Sequence, residues 1–176
     1  MDLAEAMTVL SRTPVVLDTL LRGLPQQWLH RTDGPGTWSA YDIVGHLVHG
    51  EATNWLPRIR MILAHGTDRS FEGFDREAML AWEHEPAEAL TARLRSARTA
   101  SLDELTSLHL TPGDLDRRGS HPQMGEVTLG QVLAAWVAHD LTHLAQIGEA
   151  LARCYRDEVG PYRRYMPALD RVAEAE

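Results

Sequence analysis

The sequence predicts an all-α domain folded as a four-helix bundle. Three observations carry that reading. Apolar residues recur with a helical period over long segments, and no run alternates cleanly with period two. Turn residues and capping signals then divide the chain into four long helices joined by two longer connections. At 176 residues the chain suits one domain, 1–176, able to bury a core without a disulfide or a structural metal.

The first helix is predicted over residues 2–22, with a midway reset where Thr13 can cap and Pro14 suits a first turn. Gly23 and Pro25 end it. "HRTDGPGTW" is a loop, carrying Gly34, Pro35 and Gly36. Ser39-x-x-Asp42 forms a capping box with a shortened acid and opens a second helix reaching Ala64, kinked at Pro57. Residues 65–85 read as irregular, with a short helix in "DREAMLAWEHE". A third helix runs from Pro86 to Leu108, and "TPGDLDRRGSHPQMGEV" reads as a loop. Thr128-x-x-Gln131 is a second capping box; it opens a fourth helix predicted to reach Glu158, where Gly160-Pro161 stops it. "YRRYMPALDRV" reads as a short extra C-terminal helix.

Composition narrows the function. The net charge is −8 and no basic run occurs, which argues against a nucleic-acid surface. All 17 basic residues are Arg, so chemistry that needs a lysine amine is excluded. Cys154 is the one cysteine, which fits a reducing compartment. "MDLAEAMTVL" is acidic and amphipathic, unlike a signal peptide, and no apolar run reaches the ~18 residues of a membrane helix. A cytoplasmic protein acting on a small molecule is expected. There is no G-x-S-x-G elbow, and "GPGTWS" lacks the third glycine and the preceding strand of a dinucleotide loop.

The histidines are the chemical signal. His139 and His143 stand one turn apart in "AAWVAHDLTHLAQIGEAL", on the flank of a stripe centred on Leu129, Leu133, Trp136, Ile147 and Leu151. From that spacing two imidazoles can reach one ion. The plainer alternative is a pair of polar residues near a helix surface. A third ligand must come from another helix. His46 lies beside Ile43 and Gly50 at the edge of the buried face, whereas His49 is rotated about 60° toward solvent. His30, His65, His84, His109 and His121 fall in loops or at helix ends, most of them facing solvent; His121 either serves a turn, the simpler reading, or folds back over the bundle mouth. On the same wheels Glu51, Asn54, Arg58 and Asp140 point inward. Arg58 paired with Glu51 or Asp140 would hold register. Alternatively Glu51 or Asp140 handles a proton or orients an imidazole, with Arg58 and Glu51 recognising a charged substrate. "HDLTH" differs from the zinc-peptidase H-E-x-x-H by one methylene, and no strand precedes it to align a peptide.

"GTWSAYDIVGHLVHGE", followed much later by "VTLGQVLAAWVAHDLTHLAQI", resembles the DinB-like superfamily: a Trp-Ser helix start, a histidine eight residues after the Trp, and a distant H-x-x-x-H helix. The resemblance implies an up-down-down-up bundle, often a homodimer, in which His46, His139 and His143 hold one divalent ion. Zinc, nickel or iron suits imidazole ligands. Three neutral imidazoles leave an open position where water, or a low-molecular-weight thiol, becomes a nucleophile. Relatives include thiol-dependent transferases and isomerases and suspected hydrolases. The expectation is therefore a metal-dependent enzyme with Glu51 and Asp140 as acid/base or supporting groups. The rivals are a non-catalytic stress-response metal-binding protein and a purely structural helical dimer.

Overall fold

The computed structural model describes residues 2–75, 78 and 85–171. Six α-helices are described, α1 (Leu3–Leu21), α2 (Gln26–Leu29), α3 (Ala40–Thr53), α4 (Trp55–His65), α5 (Ala87–Ser107) and α6 (Leu129–Ala152), with a hairpin of β1 (Arg118–His121) and β2 (Gly125–Thr128). None of them is long and apolar enough to cross a membrane. The bundle consists of α1, the α3–α4 pair, α5 and α6. Most of the short helix expected in "DREAMLAWEHE" lies outside the described residues.

Directions follow from contacts. Asp18, late in α1, pairs with Arg95, early in α5, at 3.0 Å, so these helices are antiparallel. Tyr41 Oη donates to Glu85 O at 2.6 Å and Arg60 pairs with Glu104, so α3–α4 runs parallel to α5. His46 meets His139, and Trp55 stacks on Trp136 at 5.9 Å, so α3–α4 is antiparallel to α6. The order is up-down-down-up. α1 packs on α5 and α6, and α3 packs on the same two.

The helices start where the sequence says. Asp2 Oδ1 accepts from Ala4 N and Glu5 N. Ser39–Asp42 and Thr128–Gln131 both close reciprocal capping boxes, satisfying donors that a helix start leaves bare. Their interiors depart from expectation at the prolines. No reset occurs at Thr13, and α1 continues through Pro14. Proline cannot donate to the carbonyl four residues back, and Arg98 Nη1 donates to that Leu10 oxygen instead, at 2.7 Å. In the second helix the break falls at Asn54, three residues ahead of Pro57, and separates α3 from α4. The ring of Pro57 disfavours the preceding turn, and that strain is released at Asn54.

Three more boundaries shift. The "TPGDLDRRGSHPQMGEV" loop contains the hairpin. Gly119 is required there, because a Cβ would come within 2.6 Å of Ile62 Cγ1 and 2.9 Å of Phe71 Cζ. α6 ends at Ala152, six residues before Glu158. Arg153 is buried against Asp33 and donates to Arg171 O, which draws the chain out of the helix. The final segment forms 3₁₀ turns, Gly160–Tyr165 and Pro167–Leu169, where an α-helix was expected.

The core has two apolar clusters. One gathers Leu17, Ile43, Leu47, Leu90, Leu94 and Ile147; the other gathers Leu10, Ile59, Ile62, Leu105, Leu133 and Trp136. Between them, along each helix, lie the buried polar residues Thr13, Glu51, Arg98 and Asp140. The functional side chains sit at this mid-bundle level.

Candidate metal centre

α3 contributes His46 and α6 contributes His139 and His143. Their Nε2 atoms converge: His46 to His139 at 3.0 Å, and His143 to His139 at 3.1 Å. Among the described residues this is the one group of three or more His, Cys, Asp or Glu placed to share an ion. Nitrogens about 2.1 Å from one ion in tetrahedral geometry lie roughly 3.3 Å apart, close to these separations.

The donor chemistry fits a cation. His143 Nδ1 lies 2.6 Å from Gln146 Oε1, an acceptor, so the imidazole donates there and leaves Nε2 bare. A neutral His139 can then satisfy one of its two Nε2 contacts but never both. Its Nδ1 is buried without a partner. Protonation does not resolve the conflict: burial, then His143, His46 and Arg98, push the His139 pKa down to about 3. A divalent ion between the three lone pairs does resolve it.

Aromatic rings wall the site. Trp38 lies 4.8 Å from the His46 ring, Phe74 5.4 Å from it, and Trp55 5.0 Å from His139. The imidazoles open onto a cavity of about 580 Å³ whose far side is formed by Asn54, Arg58 and the hairpin tip. His49, as expected, lies off the cavity, against Phe74.

Glu51 and Asp140 come together, but on Arg98. Arg98 Nη1 lies 2.6 Å from Asp140 Oδ2, and Arg98 Nη2 lies 2.8 Å from Glu51 Oε2. Burial alone would lower the Arg98 pKa; Asp140 and Glu51 outweigh it and hold the guanidinium charged. Neither carboxylate lines the cavity. The partner predicted for them, Arg58, is instead half-buried at the cavity wall, its guanidinium 5.5 Å from the Phe71 ring centre.

His121 does both things the sequence offered for it, serving a turn and folding back over the site. It is 8% exposed, not solvent-facing, and it lines the cavity. Its Nδ1 accepts from Gln123 N and Met124 N, closing the hairpin turn.

A family model described as the DinB superfamily matches residues 10–147. The chain belongs to the DinB superfamily. Among solved structures, the DinB-like fold is matched by YfiT from Bacillus subtilis with a TM-score of 0.73 at 22% identity, covering 86% of each chain. That protein is described as "a probable metal-dependent hydrolase with an unusual four-helix bundle topology". No curated protein matches the sequence. The superfamily match spans His46, His139 and His143 and ends within α6, before the C-terminal 3₁₀ turns.

Proposed function

We propose that this DinB-superfamily protein is a metal-dependent enzyme in which His46, His139 and His143 hold one divalent ion at the floor of the cavity. The observation that carries the reading is the convergence of three imidazole Nε2 atoms on a cavity large enough for a small substrate. Zinc, nickel or iron suits the ligand set, and such an ion supplies Lewis acidity toward water or a low-molecular-weight thiol. The reaction is transfer of that thiol to a small electrophile, or hydrolysis of it.

The protein's own groups have distinct tasks. Gln146 fixes the His143 tautomer so that Nε2 faces the site. Trp38 and Phe74 keep the imidazole edges dry. Glu51 and Asp140 act as positioning residues: through Arg98 they tie α3, α5 and α6 together one turn from the ligands. Their engagement with Arg98 also favours a second reading, a non-catalytic protein that sequesters or senses metal, since neither carboxylate reaches the cavity to carry a proton.

Elemental analysis of tag-free protein beside His143→Ala tests the site. About one divalent ion per chain, lost in the variant, is expected. Absence of metal together with failure to take up added zinc or nickel overturns the assignment. Turnover against thiol-transfer and ester- or amide-hydrolysis panels then separates the enzyme from the sequestering protein.

A further inference from the structure

The cavity has a second polar feature besides the imidazoles. Arg58 is a half-buried cation, and among the described residues no carboxylate pairs with it, in contrast to the other cation of the bundle interior, Arg98. Burial disfavours an uncompensated charge. Its position is nonetheless fixed, by Phe71 under the guanidinium, and Phe71 N donates to Ser120 O in β1. The fold holds this cation in place without neutralising it.

The neighbours of Arg58 are neutral polar groups. His121 uses Nδ1 as an acceptor for the hairpin turn, so its neutral ring carries the proton on Nε2. Burial first, and the charge of Arg58 second, lower the His121 pKa, which keeps that ring uncharged. The Gln123 side chain lines the same wall. Asn54, at the break between α3 and α4, also lines the cavity and is buried; its Oδ1, an acceptor, has no partner. One positive charge flanked by neutral polar groups, the Nε2 proton of His121 among them, matches one negative charge. The surrounding Trp38, Phe74 and Met124 supply apolar contact.

We propose that Arg58 and His121 bind the carboxylate of a small, otherwise apolar monoanionic substrate whose opposite end reaches the three histidines. The orientation rests on the metal-dependent reading above; the carboxylate subsite does not. Arg58 also borders a second cavity of about 420 Å³, on the α4 side away from His121, so the test must tell the two apart.

The probes are 3-phenylpropionate, its amide, and the phosphate ester of the same skeleton, titrated by calorimetry into chelator-treated and zinc-loaded protein. The carboxylate should bind about tenfold or more tightly than the amide, the worth of one charge-assisted hydrogen bond. That preference should persist without metal, vanish in Arg58→Gln, and survive in part in Arg58→Lys. It should also fall in His121→Asn, where the shorter side chain can still accept from the turn but has lost the Nε2 proton.

Equal binding of acid and amide, or no binding of either, overturns the proposal. A preference seen only with zinc places the carboxylate on the metal and does the same. Tighter binding of the phosphate ester refutes the single-charge match, and loss in Arg58→Gln without change in His121→Asn moves the anion to the second cavity. If the preference survives chelation while zinc fails to bind, the subsite stands and the metal reading alone falls.

Discussion

His139 and Asp140 are neighbours on α6 and opposites in environment. Asp140 is fully buried in a cluster whose charges are met inside the protein: Arg98 pairs with it and with Glu51, and donates to Leu10 O. His139 turns to the other side, where three imidazole nitrogens face one another with no arrangement of protons that satisfies all of them. Both are buried polar clusters at one level of the bundle. The closed cluster holds helices in register; the open one requires something the chain does not supply. Glu51 Oε1 has no partner, but each charge of that cluster faces an opposite charge, whereas the imidazoles face only one another.

Breaking the closed cluster should do the most damage. Arg98→Met leaves two buried carboxylates uncompensated and is expected to cost about 3–5 kcal/mol in urea unfolding. Adding Glu51→Gln and Asp140→Asn should recover part of that loss. A change below about 1 kcal/mol for Arg98→Met, within the range of ordinary substitutions, would erase the distinction between the clusters.

The open cluster should respond to its ligand instead. Zinc at a hundredfold excess over its Kd should stabilise the wild type by about 2.7 kcal/mol and should leave His46→Ala unmoved in thermal unfolding. An equal zinc shift in both proteins would remove His46 from the site. Gln146→Ala sharpens the comparison further. Loss of the acceptor at His143 Nδ1 should weaken zinc affinity about 10–100-fold in competition with a chromophoric chelator, with unfolding of the metal-free protein nearly unchanged. The smallest effect belongs to a pair outside both clusters. Arg60 and Glu104 form an exposed ion pair, and Arg60→Ala should cost under about 1 kcal/mol, falling with added salt.

The bundle and the shared face of its histidines were legible because both write themselves as helical period. Four apolar stripes predict four helices, and His139 and His143 share a face by spacing alone. The hairpin was not legible: four-residue strands reading Arg-Gly-Ser-His and Gly-Glu-Val-Thr carry almost no alternation. The turn role of His121 was legible, but the strand pairing that carries it to the cavity was not. Arg98 was missed for another reason. α5 carries Arg93, Arg95 and Arg98 on a weakly amphipathic helix, so its sequence does not single out the inward one. Of the roles open to Arg58 in the sequence, the ion pair with Glu51 or Asp140 is the one the structure removes, because Arg98 on α5 takes both carboxylates. The end of α6 was overrun because the pull of Asp33 on Arg153 acts across 120 residues of chain, beyond the reach of any local signal.

The placement of the three ligands along the chain also bears on the order of folding. His139 and His143 lie one turn apart, so a short helical stretch can hold an ion with two of them before the bundle exists. His46 stands 93 residues before His139 and joins them only after α3 has docked on α6. A bound ion therefore rewards the last step of assembly more than the first. Its expected kinetic signature is a slower unfolding limb with a nearly unchanged folding limb, the mark of a clasp fastened after the helices have closed.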